Sequence, residues 1–289
     1  MNTRALLFTA TLFATSLFAS DWPAWRGPTM DGHAAPGQKL PVKWSESENI
    51  VWKAAVRGRG HGSPTVVGDQ VFLATADIET EEQLVLSFDR ATGKPRWETV
   101  VHQGNLNSKG HKSSSQASSD IVSDGERLFV NFLNDNAIFT TALDLSGKQL
   151  WQRRVCDFQV HQGFGSSPVV YQDIVLVSAD HRGGGQMSGL SRHPGEIAGQ
   201  AHRPPVANYA SPAVVTAAGK TQVVLAGCNK VESFDPLTGS KLWSIDGSTE
   251  ETVVTAVTDG SRVFLGGGYP KNHTMAVEAD GSGRIAWES

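Results

Sequence analysis

The chain has 289 residues, 39% of them hydrophobic and 19% charged, which gives a globular chain with a substantial core. Its net charge of -4 excludes the basic footprint that a nucleic-acid partner or an anionic membrane surface would select. With 30 Gly and 13 Pro it is punctuated by turns throughout, and no helical period competes after the first twenty residues.

Residues 1–20 read as a secretory signal peptide: Arg4 supplies the positive start, Ala5 to Ala19 the apolar run, and Ala19 and Ser20 the small residues before the break. The run is short for a membrane span, and no later segment is apolar enough to cross a bilayer. No Cys stands near the break, so a lipid anchor is not expected. The mature chain is therefore expected outside the cytoplasm, periplasmic or otherwise extracytoplasmic, and soluble. Cys156 and Cys228 lie 72 residues apart, and their spacing leaves both a disulfide and two separate thiols open.

A Trp-rich extended segment, 21–48, leads to Asn49–Val56, which has the pattern of a strand carrying Trp52. Beyond it a unit recurs. Its clearest copies are Ser87-Phe-Asp-Arg-Ala-Thr-Gly-Lys-Pro-Arg-Trp97, Ala142-Leu-Asp-Leu-Ser-Gly-Lys-Gln-Leu-Trp151 and Ser233-Phe-Asp-Pro-Leu-Thr-Gly-Ser-Lys-Leu-Trp243, with a looser one ending at Trp287. In a decayed copy Gly199 stands where Trp is expected, so the Trp positions 97, 151, 199, 243 and 287 are spaced by 54, 48, 44 and 44 residues. A second marker keeps step upstream: Gly62-Ser63-Pro64, Ser118-Ser119-Asp120, Ser166-Ser167-Pro168, Ala210-Ser211-Pro212 and the degenerate Thr252 to Ala256.

Within each unit, short β-branched and aromatic runs alternate with Gly and Asp turns, as in Thr65-Val66-Val67, Gly68-Asp69 and Val71-Phe72-Leu73. Four short antiparallel strands about every 40–45 residues make a β-propeller blade. The fold expected is all-β, with blades near 60–101, 113–155, 165–202, 209–246 and 252–289 inside a propeller region 49–289. Trp52, Trp97, Trp151, Trp243 and Trp287 are expected to pack between blades, because one blade alone cannot bury its two faces. Three strands that would complete the blade of Trp52 are missing from the sequence, which predicts an open ring with an orphan N-terminal strand and suggests a partial copy of a longer propeller. A five-bladed ring with a stray strand is the competing expectation.

The Asp-x-x-Thr-Gly-Lys-x-x-Trp units resemble the PQQ-like (pyrroloquinoline-quinone-like) propeller repeat of quinoprotein dehydrogenases and of the BamB-type outer-membrane assembly scaffold. The opening Asp21-Trp22-Pro23-Ala24-Trp25-Arg26-Gly27-Pro28 is similar to that of exported bacterial PQQ-like repeat proteins. The resemblance implies the scaffold but not one function. A quinoprotein would bring a quinone over a Trp floor, a calcium or lanthanide ion, an Asp base and adjacent cysteines. Cys156 and Cys228 are not adjacent, and no group of carboxylates and amides stands out for a hard cation, so PQQ and calcium are disfavoured. No Gly-x-Ser-x-Gly elbow occurs, and neither Gly183-Gly184-Gly185 nor Gly266-Gly267-Gly268 leads into a helix.

His61, His111 and His161 precede the first strands of their blades, with Asn208 and Glu250 at similar positions, so all five are candidates for one channel mouth. Three imidazoles there could bind a transition metal, although solvated loop histidines explain them as well. The function expected is a non-catalytic exported scaffold for protein or peptide partners, as in envelope or outer-membrane protein assembly. Quinone-dependent oxidation and a metal site at the mouth are the alternatives.

Overall fold

The computed structural model describes residues 20–107 and 109–289; the signal-peptide reading of 1–20 falls almost wholly outside the described residues. The regular elements are twenty strands in five four-stranded antiparallel sheets. The first sheet holds β1 (Thr65–Val67), β2 (Gln70–Asp77), β3 (Glu82–Asp89) and β4 (Pro95–Gln103). The second holds β5 (Val122–Ser123), β6 (Arg127–Asn134), β7 (Ala137–Asp144) and β8 (Gln149–Asp157). The third holds β9 (Val169–Tyr171), β10 (Ile174–Ala179), β11 (Gln186–Ser191) and β12 (Ile197–His202). β13 (Ala213–Ala217), β14 (Lys220–Gly227), β15 (Lys230–Phe234) and β16 (Lys241–Asp246) form the fourth. β17 (Val257–Thr258), β18 (Arg262–Gly267), β19 (His273–Glu278) and β20 (Ile285–Glu288) form the fifth.

Each sheet is a meander in chain order, and the first strands β1, β5, β9, β13 and β17 neighbour one another in turn. This is a β-propeller arrangement, and among the described residues β1 and β17 do not neighbour one another as the other successive first strands do. The ring is open. Residues 50–56 repeat the alternating burial of β4 and β8 at their Trp, yet make no backbone hydrogen bonds among the described residues. They rest on the first sheet through Trp52 and Ala54, which pack against Val71, Leu84, Leu86 and Phe88.

Two repeated devices join the sheets. In the first, the indole of one sheet lies on the Gly of the next sheet's Asp-turn and donates to a carbonyl in that turn. Trp97 Nε1 bonds Leu145 O at 3.0 Å, Trp151 Nε1 bonds Arg192 O at 3.1 Å, and Trp52 Nε1 bonds Arg90 O at 2.9 Å. Gly147 and Gly195 have positive φ in those turns, and an added Cβ would come within 2.7 Å of Trp97 or 2.5 Å of Trp151. Glycine is required twice over, for the backbone and for the ring above it. Where the turn has an Asp, that side chain holds it closed, as where Asp235 Oδ1 accepts from the Leu237 and Thr238 amides at 2.9 and 2.8 Å; in the third sheet Ser191 stands at that position.

The second device explains the upstream marker. The Ser63 amide donates to Asp120 Oδ1, the Asp120 amide to Ser167 Oγ at 3.0 Å, and the Ser167 amide to Ser211 Oγ at 2.9 Å. One side chain per sheet thus satisfies the buried amide of the sheet before it, forming a belt around the channel. At the fifth position Thr255 Oγ1 instead accepts from Trp25 Nε1 at 3.0 Å.

Trp25 belongs to the N-terminal segment, which crosses the channel at the end where β1 turns into β2. Trp22 pairs with Val66, Pro23 O accepts from the Ser123 amide, and Met30 packs into the core between the third and fourth sheets. Trp243 is buried and donates to Gln222 Oε1 at 2.8 Å; the Gln222 amide group then reaches Ala279 O at 3.1 Å in the fifth sheet. Trp287 departs from the expected inter-blade role: it is 48% exposed and faces Phe264 of its own sheet.

Candidate functional site

The connections that lead into the first strands converge at the end of the channel opposite the N-terminal segment. They border an open cleft of about 420 Å³ lined by His111, Ser114, Ser118, Phe164, Tyr209, Glu251 and Val253, among others. That size lies within the roughly 300–1,000 Å³ range of ligand pockets. Its lining comes from the connections before the second, third, fourth and fifth sheets, so its shape depends on how the sheets dock.

Behind the lining, His161 Nδ1 lies 3.3 Å from the Tyr209 hydroxyl and 3.2 Å from Glu251 Oε1. The Gln162 amide donates to the same hydroxyl at 3.3 Å. The imidazole–carboxylate contact has the distance of an ion pair without hydrogen-bond geometry, so Glu251 Oε1 is buried with no hydrogen-bond partner. Burial, helped by the Glu251 charge, pushes the Tyr209 phenol up to about 12, so it remains an O–H donor at neutral pH. Glu251 is placed by its main chain, its amide donating to Tyr269 O at 3.2 Å and its carbonyl accepting from Thr249 Oγ1 at 3.0 Å.

The five residues singled out from sequence divide. His111 lines the cleft, with its Nδ1 accepting from the Ser113 amide at 3.1 Å. His161 reaches the site through Tyr209 and Glu251. His61 is exposed at the rim, its Nδ1 3.4 Å from Ser118 Oγ. Asn208 is not a mouth ligand: it is buried between the third and fourth sheets, where Nδ2 donates to Asp180 Oδ2 at 3.0 Å and Ala226 O at 2.9 Å. The carboxylate lining the cleft is Glu251 rather than Glu250, whose carbonyl accepts from the Cys228 amide. Among the described residues no three His, Cys, Asp or Glu side chains are grouped so as to hold a metal ion.

Tyr209 and Val253 were missed because the histidines drew attention at offsets that differ from unit to unit. The belt supplies the better register. The residues two before Ser63, Asp120, Ser167, Ser211 and Thr255 are His61, Ser118, Gly165, Tyr209 and Val253. All but His61 line the cleft, and His61 touches Ser118.

Asn208 belongs to a second cluster, buried except for Lys241, which reaches in from the surface. Arg203 donates to Asp180 Oδ1 and Oδ2 at 3.1 and 2.9 Å and to Glu232 Oε2 at 2.6 Å, and Lys241 Nζ reaches Glu232 Oε1 at 2.5 Å. Cys228 lies in the same surroundings, where burial and the Asp180 charge push its thiol well above the ordinary range. Burial raises Cys156 to about 11; both cysteines are free, in the fourth and second sheets' strands or turns respectively. Neither has thiolate character at neutral pH.

Comparison with known proteins bears on this architecture. A family model described as outer membrane protein assembly factor BamB matches residues 34–159 and 81–289. None of the curated proteins matches the sequence. Among solved structures, BamB from Moraxella catarrhalis is similar at 17% identity and TM-score 0.53, covering 78% of this chain and 62% of that one. Quinohemoprotein alcohol dehydrogenase from Comamonas testosteroni is similar at 13% identity and TM-score 0.66, covering 93% and 49%. A europium-containing methanol dehydrogenase is similar at 13% identity and TM-score 0.57, covering 81% and 51%. The chain thus spans 62% of the first of these structures and about half of the other two. At such identities the likeness concerns the fold. The family model, however, spans the five sheets and the segment before them, and this chain belongs to the PQQ-like β-propeller repeat family described as outer membrane protein assembly factor BamB.

Proposed function

We propose that this chain is an exported, non-catalytic propeller scaffold that binds protein or peptide segments at the mouth of its channel, in envelope or outer-membrane protein assembly. The observation that carries this reading is the cleft itself: an opening of about 420 Å³ walled by connections from four sheets, with an N-terminal segment across the far end of the channel. Rigid sheets that present convergent loops suit recognition. The family description agrees with such a role.

The mouth residues do not fit a quinone with a hard cation. A quinone bearing several carboxylates calls for cationic partners, and the lining offers no Lys or Arg. A calcium or lanthanide ion takes several oxygen ligands, carboxylates above all, whereas the lining has the single carboxylate of Glu251. No vicinal cysteine pair exists, Cys156 and Cys228 being separate thiols.

A photo-crosslinking side chain placed at Val253, on the cleft rim, tests the reading in cells that export the chain. Adducts identified by mass spectrometry as outer-membrane or periplasmic proteins are expected there, and none from Lys148 in the second sheet's β7–β8 turn. Adducts absent from Val253, or equal from both sites, would overturn it. Titration with pyrroloquinoline quinone and calcium is expected to leave absorbance and melting temperature unchanged.

A further inference from the structure

We infer that the mouth cleft is a receptor for a basic side chain, Lys or Arg, of an extended protein segment, with Glu251 taking the charge and Tyr209, Phe164 and Val253 the aliphatic stem. The inference rests on the mouth reading above and specifies its ligand. Three observations carry it.

The first is charge. Glu251 is the one carboxylate among the residues lining the cleft, which has no Lys or Arg and otherwise offers serines, a carboxamide, an imidazole, a phenol and apolar groups. An occupant is therefore selected for positive charge, because a second anion or an uncharged polar group would leave the carboxylate less well solvated than in water.

The second is an accounting of protons. The buried Glu251 Oε1 has no hydrogen-bond donor, and its nearest polar neighbour is His161 Nδ1 at 3.2 Å. That nitrogen also faces the Tyr209 hydroxyl at 3.3 Å, whose oxygen already accepts from the Gln162 amide. If Nδ1 accepts from the phenol, the carboxylate has no donor. If Nδ1 carries the proton toward the carboxylate, the phenol loses its acceptor. In the first arrangement the carboxylate is one donor short, and an ammonium or guanidinium entering the cleft brings one to its exposed side.

The third is the wall. Tyr209 stands near the carboxylate, Phe164 lines the same cleft, and Val253, 74% exposed, forms the outer lip. A long basic side chain lays methylenes on such a surface while its head seeks charge, and a cation beside aromatic rings gains further. An acidic or purely apolar segment satisfies one part of the cleft and leaves the other unmet.

The test is fluorescence anisotropy of the full chain with labelled Val-Thr-Arg-Val-Thr and the same peptide carrying citrulline, which keeps the shape and removes the charge. The arginine peptide is expected to bind about tenfold tighter, a ratio set by a charge-assisted contact of modest exposure. Glu251→Gln is expected to abolish that ratio. Val253→Ser, at a position too exposed to disturb folding, is expected to weaken both peptides equally by about threefold. Equal binding of the two peptides to the unaltered chain would overturn the assignment of charge and leave the scaffold reading intact. Saturable binding of neither peptide would overturn the inference altogether, while crosslinking from Val253 judges the scaffold reading separately. A ratio that persists in Glu251→Gln would also overturn it, since the charge would then be read elsewhere.

Discussion

The seam between the first and second sheets and the seam between the third and fourth solve the same packing problem with different chemistry. In the first, Trp97 covers Gly147 and twelve buried hydrophobic residues fill the gap. In the second, Gly199 replaces the Trp, and the buried hydrophobic cluster comprises six residues. There the backbones close up, since a Cβ on Gly199 would come within 2.8 Å of Thr238 O. The Arg203–Asp180–Glu232 network accompanies that contact. A lost indole has been accommodated by close approach and by buried charge. The lesson is that the repeat sets the geometry of the seam, while what fills it is free to change. Apolar filling tolerates trimming, whereas a charged network fails when one member is taken away.

That difference can be broken most severely at Arg203. Arg203→Ala leaves buried Asp180 with only the Asn208 amide and Glu232 with only Lys241 and Ser244, and is expected to cost about 3–5 kcal/mol in denaturant unfolding. Replacing Arg203, Asp180 and Glu232 together by Met, Leu and Met should recover most of it. A triple variant as unstable as the single one would show that the network's value lies in shape and not in paired charge.

Restoring the repeat residue is the next test. Gly199→Trp completes the consensus, yet the ring has no room against Thr238, and the fold is expected to lose about 2–3 kcal/mol by overpacking. Gly147→Ala, which strikes Trp97 from the other side, is expected to cost a similar amount. A stabilised Gly199→Trp would mean that the third and fourth sheets open without penalty.

The Trp97 seam also carries a half-buried histidine. His102 lies edge-on to Phe132 and Phe139, with ring centroids at 6.0 and 5.0 Å, and burial lowers it from the ordinary 6.5 to about 4. The unfolded chain takes up this proton near 6.5 and the folded chain only near 4. Stability from the neutral ring is therefore complete above about pH 6.5 and drains away as pH falls toward 4. Urea midpoints measured from pH 7 to 4 should fall, and His102→Leu should flatten that slope. The smallest effect expected is Trp151→Phe, which keeps the ring over Gly195 but loses the bond to Arg192 O, at about 1 kcal/mol.

Much of this was legible in the chain. The Trp spacing and the Gly and Asp turns marked five four-stranded units, because a turn needs particular residues at fixed offsets whatever surrounds it, and the Trp52 strand without partners marked the open ring. The Ser-Pro marker was visible as a period, but its purpose as an inter-sheet belt was not, since the amide that each side chain serves lies 44 to 57 residues away. Asn208 read as a mouth residue by position, and only packing showed it turned inward to Asp180. Glu250 and Glu251 are indistinguishable by composition; one residue of register decides which carboxylate meets His161.

The sequence by itself determined the strand grammar, the number of sheets and the residues that join them, for these follow from local turn chemistry repeated at one period. The tertiary structure decided the mouth: which histidine finds Tyr209, which carboxylate is left without a donor, and how Arg203 came to stand in a seam that lost its Trp. Those contacts join connections from different sheets, and their partners are chosen by the angle at which rigid sheets dock rather than by any pattern along the chain.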